Sequence, residues 1–228
     1  MKTRQLFDKD TWTYTYIVWD EETREAAIID SVKEQFERDS QYLKALGLNL
    51  KYALETHVHA DHITASGQLR NELGCQVGVS EHGGTTCADI QVTDGQVFAL
   101  GEQEIKAIHT PGHTNGDVSF LIEGAVFSGD ALLIRACGRT DFQQGDSGTL
   151  YNSITQKLFT LADDTIVYPG HDYSGFTTST IGEEKALNPR LANNKAKDEF
   201  MNIMDTLDIP TPKRIDVAVP GNLVCGLV

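Results

Sequence analysis

Short apolar runs alternate with amphipathic stretches along this chain, and the alternation predicts a mixture of strands and helices. Runs rich in valine, isoleucine and aromatic residues predict strands, whereas apolar residues at helical spacing, such as Ile154, Leu158 and Leu161, predict helices. The predicted strands lie at 14–19, 25–29, 51–55, 77–80, 97–100, 105–108, 118–122, 125–127 and 165–168, and the predicted helices at 32–46, 63–73, 150–161 and 191–207. This mixture indicates a sheet-based α/β fold.

The last part of the chain carries two further predictions. The helix at 191–207 has an apolar stripe that includes Phe200 and Met204, which indicates a structural cap on the fold. Two prolines, at 210 and 212, end this helix because proline has no N–H to donate. The final segment, 215–226, is predicted to be an extended strand that returns to the sheet.

Length, composition and charge narrow the class of protein. The chain has 228 residues, of which 40% are hydrophobic and 23% charged, so we expect one globular domain over 1–228. A net charge of −14, without any run rich in lysine or arginine, argues against nucleic-acid binding. No apolar run is long enough to cross a membrane. The first residues, MKTRQLFD, resemble neither a secretory signal nor a transit peptide, so we expect a cytoplasmic location.

Four cysteines, Cys75, Cys87, Cys137 and Cys225, are widely spaced and form no CxxC motif. In an intracellular protein this spacing is typical of reduced thiols, so no disulfide is expected. Structural burial is the expected role of Cys137 and Cys225.

The densest chemical pattern is THVHADH at 56–62, where His57, His59, Asp61 and His62 lie within seven residues. Buried polar groups without partners are costly, and a metal ion satisfies several of them together. The segment therefore predicts a metal site.

Three more polar residues follow predicted strands, each beside a glycine: His113 in HTPGHT, Asp130 in SGD and His171 in PGHD. Glycine allows tight loops and a close approach of backbone to a ligand. We therefore expect these three residues to join the four of THVHADH in one constellation. Spacing alone leaves open whether that constellation holds one metal or two.

The order HxHxDH, GHT, GD and GH resembles the metallo-β-lactamase superfamily, which implies an αββα sandwich with a metal site at one edge of its two sheets. Longer segments are similar to the persulfide dioxygenase family within it, from about residue 12 to the C-terminus. These segments are THVHADHITASG at 56–67, ACGRTDFQQG at 136–145, YPGHDYSG at 168–175, LNPRL at 187–191 and IDVAVPGNLVCG at 215–226.

The resemblance implies a site and a reaction. By matching motifs, the catalytic metal ligands are His57, His113 and Asp130, which hold one Fe(II) per chain. The implied reaction oxidises glutathione persulfide with O2 to sulfite and glutathione. The remaining residues of the constellation would orient the three ligands by hydrogen bonds. These are His59, Asp61, His62 and His171.

Glutathione carries two carboxylates, so an acidic protein needs local anchors to bind it. Arg139, Arg190 and Tyr173 lie in the family-like segments and are the expected substrate-binding residues. The planar fork of arginine suits a carboxylate. Each arginine could equally form a structural ion pair.

Two alternatives stay open. The same seven ligands allow a glyoxalase II-like thioesterase that hydrolyses S-acyl glutathione with two metals, although only about 40 residues follow Asn188, which is short for the helical region of those enzymes. The second alternative is a non-enzymatic carrier of persulfide or metal. A homodimer is a fair expectation. A sulfurtransferase or sulfide:quinone oxidoreductase of the same pathway would be a separate chain.

Overall fold

The computed structural model describes residues 1–228, and its twelve strands form two six-stranded sheets. The first sheet contains, from edge to edge, β1 (Lys2–Asp8), β2 (Thr13–Trp19), β3 (Glu25–Ile29), β4 (Asn49–Leu54), β5 (Gln76–Ser80) and β6 (Ile90–Val92). The second contains, from edge to edge, β7 (Val97–Leu100), β8 (Gln103–His109), β9 (Val118–Ile122), β10 (Ala125–Gly129), β11 (Ile166–Pro169) and β12 (Ser179–Thr180).

Six helices flank the sheets, together with short 3-10 turns at Lys33–Gln35 and Leu158–Thr160. The helices are α1 (Phe36–Ala45), α2 (Ser66–Leu73), α3 (Ser147–Gln156), α4 (Ile181–Leu187), α5 (Lys197–Asp205) and α6 (Ile215–Asn222). None of them combines the length and the apolar character that crossing a membrane requires.

Three apolar layers hold these elements together. Successive side chains of a strand point to opposite faces, so Ile17 of β2 packs in the layer beneath α1 and α2, whereas Tyr16 and Val18 pack between the sheets. The layer between the sheets includes Phe120 from the second sheet. Val126 faces the opposite way and packs with α3, α4 and α5. The predicted αββα sandwich is confirmed.

The directions of the strands bring four loops to one edge of the sandwich. β3 runs parallel to β4, and β10 runs parallel to β11, so the carboxyl ends within each pair are neighbours. β8 is antiparallel to β9, which is antiparallel to β10, and β8 therefore points the same way as β10. The backbone N–H of Val118 donates to the carbonyl of Thr56, with N and O 2.7 Å apart, and this bond joins the two sheets at this edge. The ends of β4, β8, β10 and β11 consequently surround one site.

Gly129 allows the two sheets to approach each other at that edge. Its φ is +52°, in the left-handed region that favours glycine, and a Cβ there would lie 2.5 Å from Thr56 Oγ1. A larger residue would therefore push apart the loops that follow β4 and β10.

The prediction of an extended strand at 215–226 was wrong. The segment contains α6 followed by a turn, with Pro220 inside the helix. Its valines favour a strand locally, but β preference depends on context. Tertiary contacts decide the conformation, because Ala218 and Gly221 are buried and a Cβ on Gly221 would lie 3.6 Å from Ile63.

Other boundaries differ less. The helix predicted at 191–207 begins at Lys197, and Phe200 and Met204 of α5 are buried in the same apolar layer as Leu150 of α3, so this helix caps the second sheet. The edge strands β1, β6 and β12 and the helix α4 were not predicted.

The prediction that all four cysteines are reduced was also wrong. Cys87 and Cys225 form a disulfide across 138 positions of sequence, with their Cα atoms 5.9 Å apart. Spacing along the chain could not reveal this pair, because α6 brings the C-terminal segment back onto the loop that follows β5. Cys75 and Cys137 are free, as expected. The burial predicted for Cys137 and Cys225 is confirmed, and Cys75 is buried as well.

The disulfide should stabilise the protein by restricting the unfolded chain, since it closes a long loop. We expect the double variant Cys87→Ala, Cys225→Ala to lose about 2–4 kcal/mol in free energy of unfolding, measured in urea. Reductant should destabilise the wild type by a similar amount and leave the double variant unchanged. Equal stability of the oxidised wild type and the double variant would contradict the role assigned to this bond.

Candidate metal centre

A cavity of about 460 Å³ opens at the edge where the four loops meet. It is lined partly by histidine and aspartate side chains and partly by apolar and arginine side chains. Its lining residues are His57, Ala60, Asp61, His113, Asp130, Leu133, Ala136, Cys137, Gly138, Arg139, His171, Tyr173, Arg190, Ile209, Pro210 and Pro212.

Three of these residues have the arrangement of a metal-binding set. His57, His113 and Asp130 each present one nitrogen or oxygen atom, and these atoms lie within 4.8 Å of one another. The three residues come from the loops after β4, β8 and β10, so the fold and not the sequence spacing brings them together.

Hydrogen bonds fix which atom of each histidine is free. His113 Nδ1 lies 2.7 Å from the carbonyl oxygen of Arg139, which can only accept, so Nδ1 carries the proton and Nε2 is left as a lone-pair donor. His57 Nδ1 lies 3.0 Å from Thr56 Oγ1. Each ring is therefore held at Nδ1 and offers Nε2 as a ligand.

Asp130 is held in the same manner. Its Oδ1 accepts a hydrogen bond from His171 Nδ1 at 2.7 Å, while Oδ2 lies 3.7 Å from His113 Nε2. Burial alone would raise the pKa of Asp130, but the neighbouring imidazoles, His171 first, outweigh it and hold that pKa below its usual value. Asp130 is consequently an anionic carboxylate with one oxygen committed to His171 and one oxygen available.

The charge state of His57 also suits a ligand. Burial and the neighbouring rings of His59 and His113 hold the pKa of His57 well below its usual value, so the ring is neutral. Metals bind neutral imidazole and ionised carboxylate. The donor set thus fits a divalent metal, and two imidazoles with one carboxylate is the ligand pattern of non-haem Fe(II) oxygenases.

Asp61 links the loop after β4 to the loop after β11. Its Oδ2 lies 3.1 Å from His171 Nε2, 3.0 Å from His62 Nδ1 and 3.2 Å from Thr13 Oγ1. The two nitrogens of His171 are therefore both held by carboxylates, Asp130 on one side and Asp61 on the other. Burial would lower the pKa of His171, but these two carboxylates raise it well above its usual value.

His59 and His62 do not line the cavity, although the sequence placed them in one constellation with the other five residues. His59 Nε2 lies 3.2 Å from Asp30 Oδ1 and 3.3 Å from Glu55 Oε2. Burial would lower the pKa of His59, but the two carboxylates raise it to about 10. His62 is fully buried beside Asp61.

Sequence reasoning missed Asp30 and Glu55, which are both buried at the ends of neighbouring parallel strands. A signal was present for Asp30, because it directly follows the apolar run of β3, just as Asp130 follows β10. Nothing in the sequence singled out Glu55, which immediately precedes the histidine motif.

All three predicted substrate-binding residues line the cavity, but their side chains differ in availability. Each guanidinium nitrogen of Arg139 already has a partner: Nε and Nη2 donate to Asp141, Nη1 to the carbonyl of Pro210 and Nη2 also to that of Ile209. Arg190 donates Nη1 to the carbonyl of Cys137 at 2.7 Å and forms no ion pair with a carboxylate. The guanidinium of Arg190 is the one with spare donors at the cavity.

Tyr173 lies at the mouth of the cavity. Its ring stacks on His171 with centroids 6.0 Å apart, its other neighbour is Trp12 at 6.1 Å, and 64% of the residue is exposed. The phenol is therefore open to a molecule that enters.

The C-terminal segment holds the loop that carries the histidine motif through hydrogen bonds to its backbone. Asn222 Oδ1 accepts from the backbone N–H of Thr64 at 2.8 Å, and Nδ2 donates to the carbonyls of His59 and His62 at 2.9 and 2.8 Å. The backbone N–H of Gly67 donates to the carbonyl of Cys225. One buried amide thus satisfies three backbone groups of the motif loop.

Comparisons with known proteins agree with this fold and site. The profile described as "Metallo-beta-lactamase superfamily" matches residues 13–171. The chain is 50% identical over 227 residues to the human "Persulfide dioxygenase ETHE1, mitochondrial", covering 98% of this chain and 88% of that protein. The crystal structure of ETHE1 from Myxococcus xanthus superposes with a TM-score of 0.96 at 51% identity, covering 99% of this chain and 100% of that one. The Haemophilus influenzae "Hydroxyacylglutathione hydrolase GloC" is 36% identical, covering 79% of this chain and 92% of that protein.

The αββα sandwich, with histidines and aspartates gathered at one edge, defines a metal-binding enzyme of the metallo-β-lactamase superfamily. Within that superfamily, the chain belongs to the persulfide dioxygenase family.

Loss of the Asn222 amide should destabilise the motif loop, because the variant Asn222→Ala leaves three buried backbone groups without partners. We expect a loss of about 2–3 kcal/mol in the free energy of unfolding of the metal-free protein, measured in urea. The exposed neighbour Val217 serves as the matched control, and Val217→Ala should change stability by less than about 0.5 kcal/mol. Equal effects of the two substitutions would contradict the support assigned to Asn222.

Proposed function

We propose that this chain uses one Fe(II) per chain to oxidise glutathione persulfide with O2, giving sulfite and glutathione. The observation that carries the proposal is the three-ligand cluster of His57, His113 and Asp130 in an open cavity. Half of the residues are identical to the human persulfide dioxygenase, which supports the same chemistry here. One persulfide, one O2 and one water yield sulfite, glutathione and two protons, so the four electrons lost by sulfur reduce O2.

Bound Fe(II) would supply the electron transfer that makes O2 reactive toward sulfur, and His57, His113 and Asp130 would hold the iron. Two neutral imidazoles and one carboxylate leave one net positive charge at the site, which favours an anionic persulfide. His171 fixes Asp130 through Oδ1, so that carboxylate keeps its orientation while substrate enters and leaves. His171 is in turn fixed by Asp61.

Residues that line the cavity would orient the substrate. Arg190 has donors free for a glutathione carboxylate, and the exposed phenol of Tyr173 can donate a hydrogen bond at the mouth. Arg139 holds the carbonyls of Ile209 and Pro210, which also line the cavity, so we assign it the shaping of the cavity. The apolar residues of the cavity, including Leu133 and Ile209, keep water away from a bound persulfide.

The alternative function is that of a two-metal thioesterase, and the similarity to the hydroxyacylglutathione hydrolase supports it. Its second metal would need ligands from the remaining histidines and Asp61. Both nitrogens of His171 are held by carboxylates, and His59 Nε2 lies between Asp30 and Glu55. His59, Asp61 and His62 nevertheless place one ligand atom each within 4.8 Å of one another, so the higher identity to the persulfide dioxygenase, 50% against 36%, is what favours the dioxygenase.

Several finer expectations stay predictions. They are a homodimer, a cytoplasmic location, and a sulfurtransferase or sulfide:quinone oxidoreductase on a separate chain that supplies the persulfide.

Oxygen uptake tests the proposed function directly. Iron-loaded protein should consume one O2 per glutathione persulfide and release one sulfite, with no hydrolysis of S-lactoylglutathione. The variant Asp130→Ala should lose both iron and oxygen uptake, because it removes the one anionic ligand. The exposed His82 lies outside the cluster, and His82→Ala serves as the control that keeps both. Thioester hydrolysis without oxygen uptake would move the chain to the hydrolase class.

Arg190 should contribute to substrate binding and not to iron binding. Because a hydrogen bond to a charged group contributes about 1.5–3 kcal/mol, Arg190→Met should raise KM for glutathione persulfide about 10-fold to 100-fold. Iron content should stay at the wild-type level. The matched control is Arg4→Met, because Arg4 is exposed and does not line the cavity. An unchanged KM in Arg190→Met would remove this residue from the binding site.

A further inference from the structure

We propose that residues 208–213 form a strap that closes the cavity over the tripeptide part of glutathione persulfide, and that Arg139 is the latch of this strap. The inference rests on the proposed function and concerns how that site selects its substrate. The strap connects α5 to α6, and its Ile209, Pro210 and Pro212 line the cavity. A site that closes over the whole tripeptide favours glutathione persulfide over smaller persulfides.

The strap lies between the cavity and solvent. Ile209 and Pro210 line the cavity, whereas Asp208 and Thr211, on either side of them, are exposed and do not line it. The helices at both ends of the strap are anchored, because Phe200 and Met204 of α5 and Ala218 of α6 are buried. The strap is therefore a wall of the cavity that is fixed at its two ends.

Few hydrogen bonds hold the strap between those ends. No backbone N–H from residue 208 to residue 214 donates to another backbone group, and the two prolines have no N–H at all. A segment with exposed residues and few internal hydrogen bonds opens at a low cost in free energy. Proline also fixes φ, so the strap should swing outward as a semi-rigid piece.

Arg139 is the side chain that attaches the strap to the body of the fold. Its Nη1 donates to the carbonyl of Pro210 at 2.7 Å, and its Nη2 donates to that of Ile209 at 3.1 Å. The guanidinium is itself fixed, since Nε and Nη2 donate to Asp141 at 2.7 Å and Cζ lies 4.6 Å from the ring centroid of Phe142. Hydrogen bonds from a charged donor are stronger than those between neutral groups. Arg139 is consequently a positioning residue that keeps the strap closed.

The size of the cavity indicates what the strap closes over. A volume of about 460 Å³ lies in the range of sites that enclose drug-sized molecules, and it exceeds what a persulfide group alone would fill. A glutathione persulfide with its terminal sulfur at the metal ligands fills the remaining space with its γ-glutamyl and glycyl parts, and it then contacts the strap. Cysteine persulfide has the same reacting group without those two parts, so a closed strap gives it no advantage.

Trypsin measures the attachment of the strap without turnover, because Lys213 is exposed at its end. In the iron-loaded protein under nitrogen, cleavage after Lys213, identified by mass spectrometry, should be slow. Glutathione should slow it further, and cysteine at the same concentration should not. Arg139→Met should be cleaved about 10-fold to 100-fold faster, which is the factor that one hydrogen bond to a charged group represents.

Oxygen uptake measures the selectivity. Arg139→Met should lower kcat/KM for glutathione persulfide about 10-fold or more, while kcat/KM for cysteine persulfide changes less than about 3-fold. Iron content should stay at the wild-type level, because the substitution keeps the Arg139 carbonyl that accepts from His113 Nδ1. The matched control is Arg70→Met, since Arg70 also donates to a backbone carbonyl, that of Cys87, and does not line the cavity. It should change neither the cleavage nor the selectivity.

A second variant separates a latch from an arginine that binds the substrate directly. The double substitution Pro210→Gly, Pro212→Gly loosens the strap and leaves Arg139 in place. It should also speed cleavage after Lys213 and lower kcat/KM for glutathione persulfide alone, and it decides the matter if Arg139→Met does not fold. The inference is overturned if both variants are cleaved at the wild-type rate, if glutathione and cysteine protect equally, or if both persulfides lose rate equally.

The outcomes distinguish failure of this inference from failure of the proposed function. If cleavage and protection follow the expectation while neither persulfide causes oxygen uptake, the dioxygenase proposal fails and the strap stands. If glutathione persulfide causes oxygen uptake while glutathione gives no protection against trypsin, the function stands and the inference fails.

Discussion

Buried charge at one edge of the sandwich is the constraint on which the site depends. Histidines and carboxylates gathered there must be paired with each other or with a metal, since an isolated buried charge is costly. Asp130 and Asp61 share His171, and Asp30 pairs with His59. Three sets of residues place their ligand atoms within 4.8 Å of one another, and one of these sets has all its members along the cavity. That set is His57, His113 and Asp130.

Strand direction creates the edge, and the C-terminal segment keeps it in place. Parallel pairing of β3 with β4 and of β10 with β11 puts the polar loop residues side by side. The histidine loop would expose unsatisfied backbone groups if it stood alone, but Asn222 of α6 satisfies three of them. The disulfide between Cys87 and Cys225 ties that segment to the body of the fold. Packing far from the cavity therefore bears on how well the ligands are held.

Local patterns, in which apolar runs are followed by glycine-rich polar loops, predicted a sheet-based α/β fold and the metal-type residues, and the family resemblance implied the αββα sandwich. Prediction failed where distant contacts decide the outcome. The valines around Pro220 favoured a strand, yet burial of that segment against Ile63 produces a helix. Cys87 and Cys225 meet only because α6 returns to the first sheet. Asp30 looked like an ordinary strand end, and its contact with the histidine motif depends on a hydrogen bond to Thr56, 26 positions away.

The central claim is a centre that holds one metal with His57, His113 and Asp130. Titration of the metal-free protein with Fe(II) under nitrogen, followed by calorimetry and by direct metal analysis, tests it most directly. The account predicts a single saturable site that fills at one iron per chain. Saturation at two metals per chain would contradict it and would point to a second ion at His59, Asp61 and His62, whose ligand atoms also lie within 4.8 Å of one another.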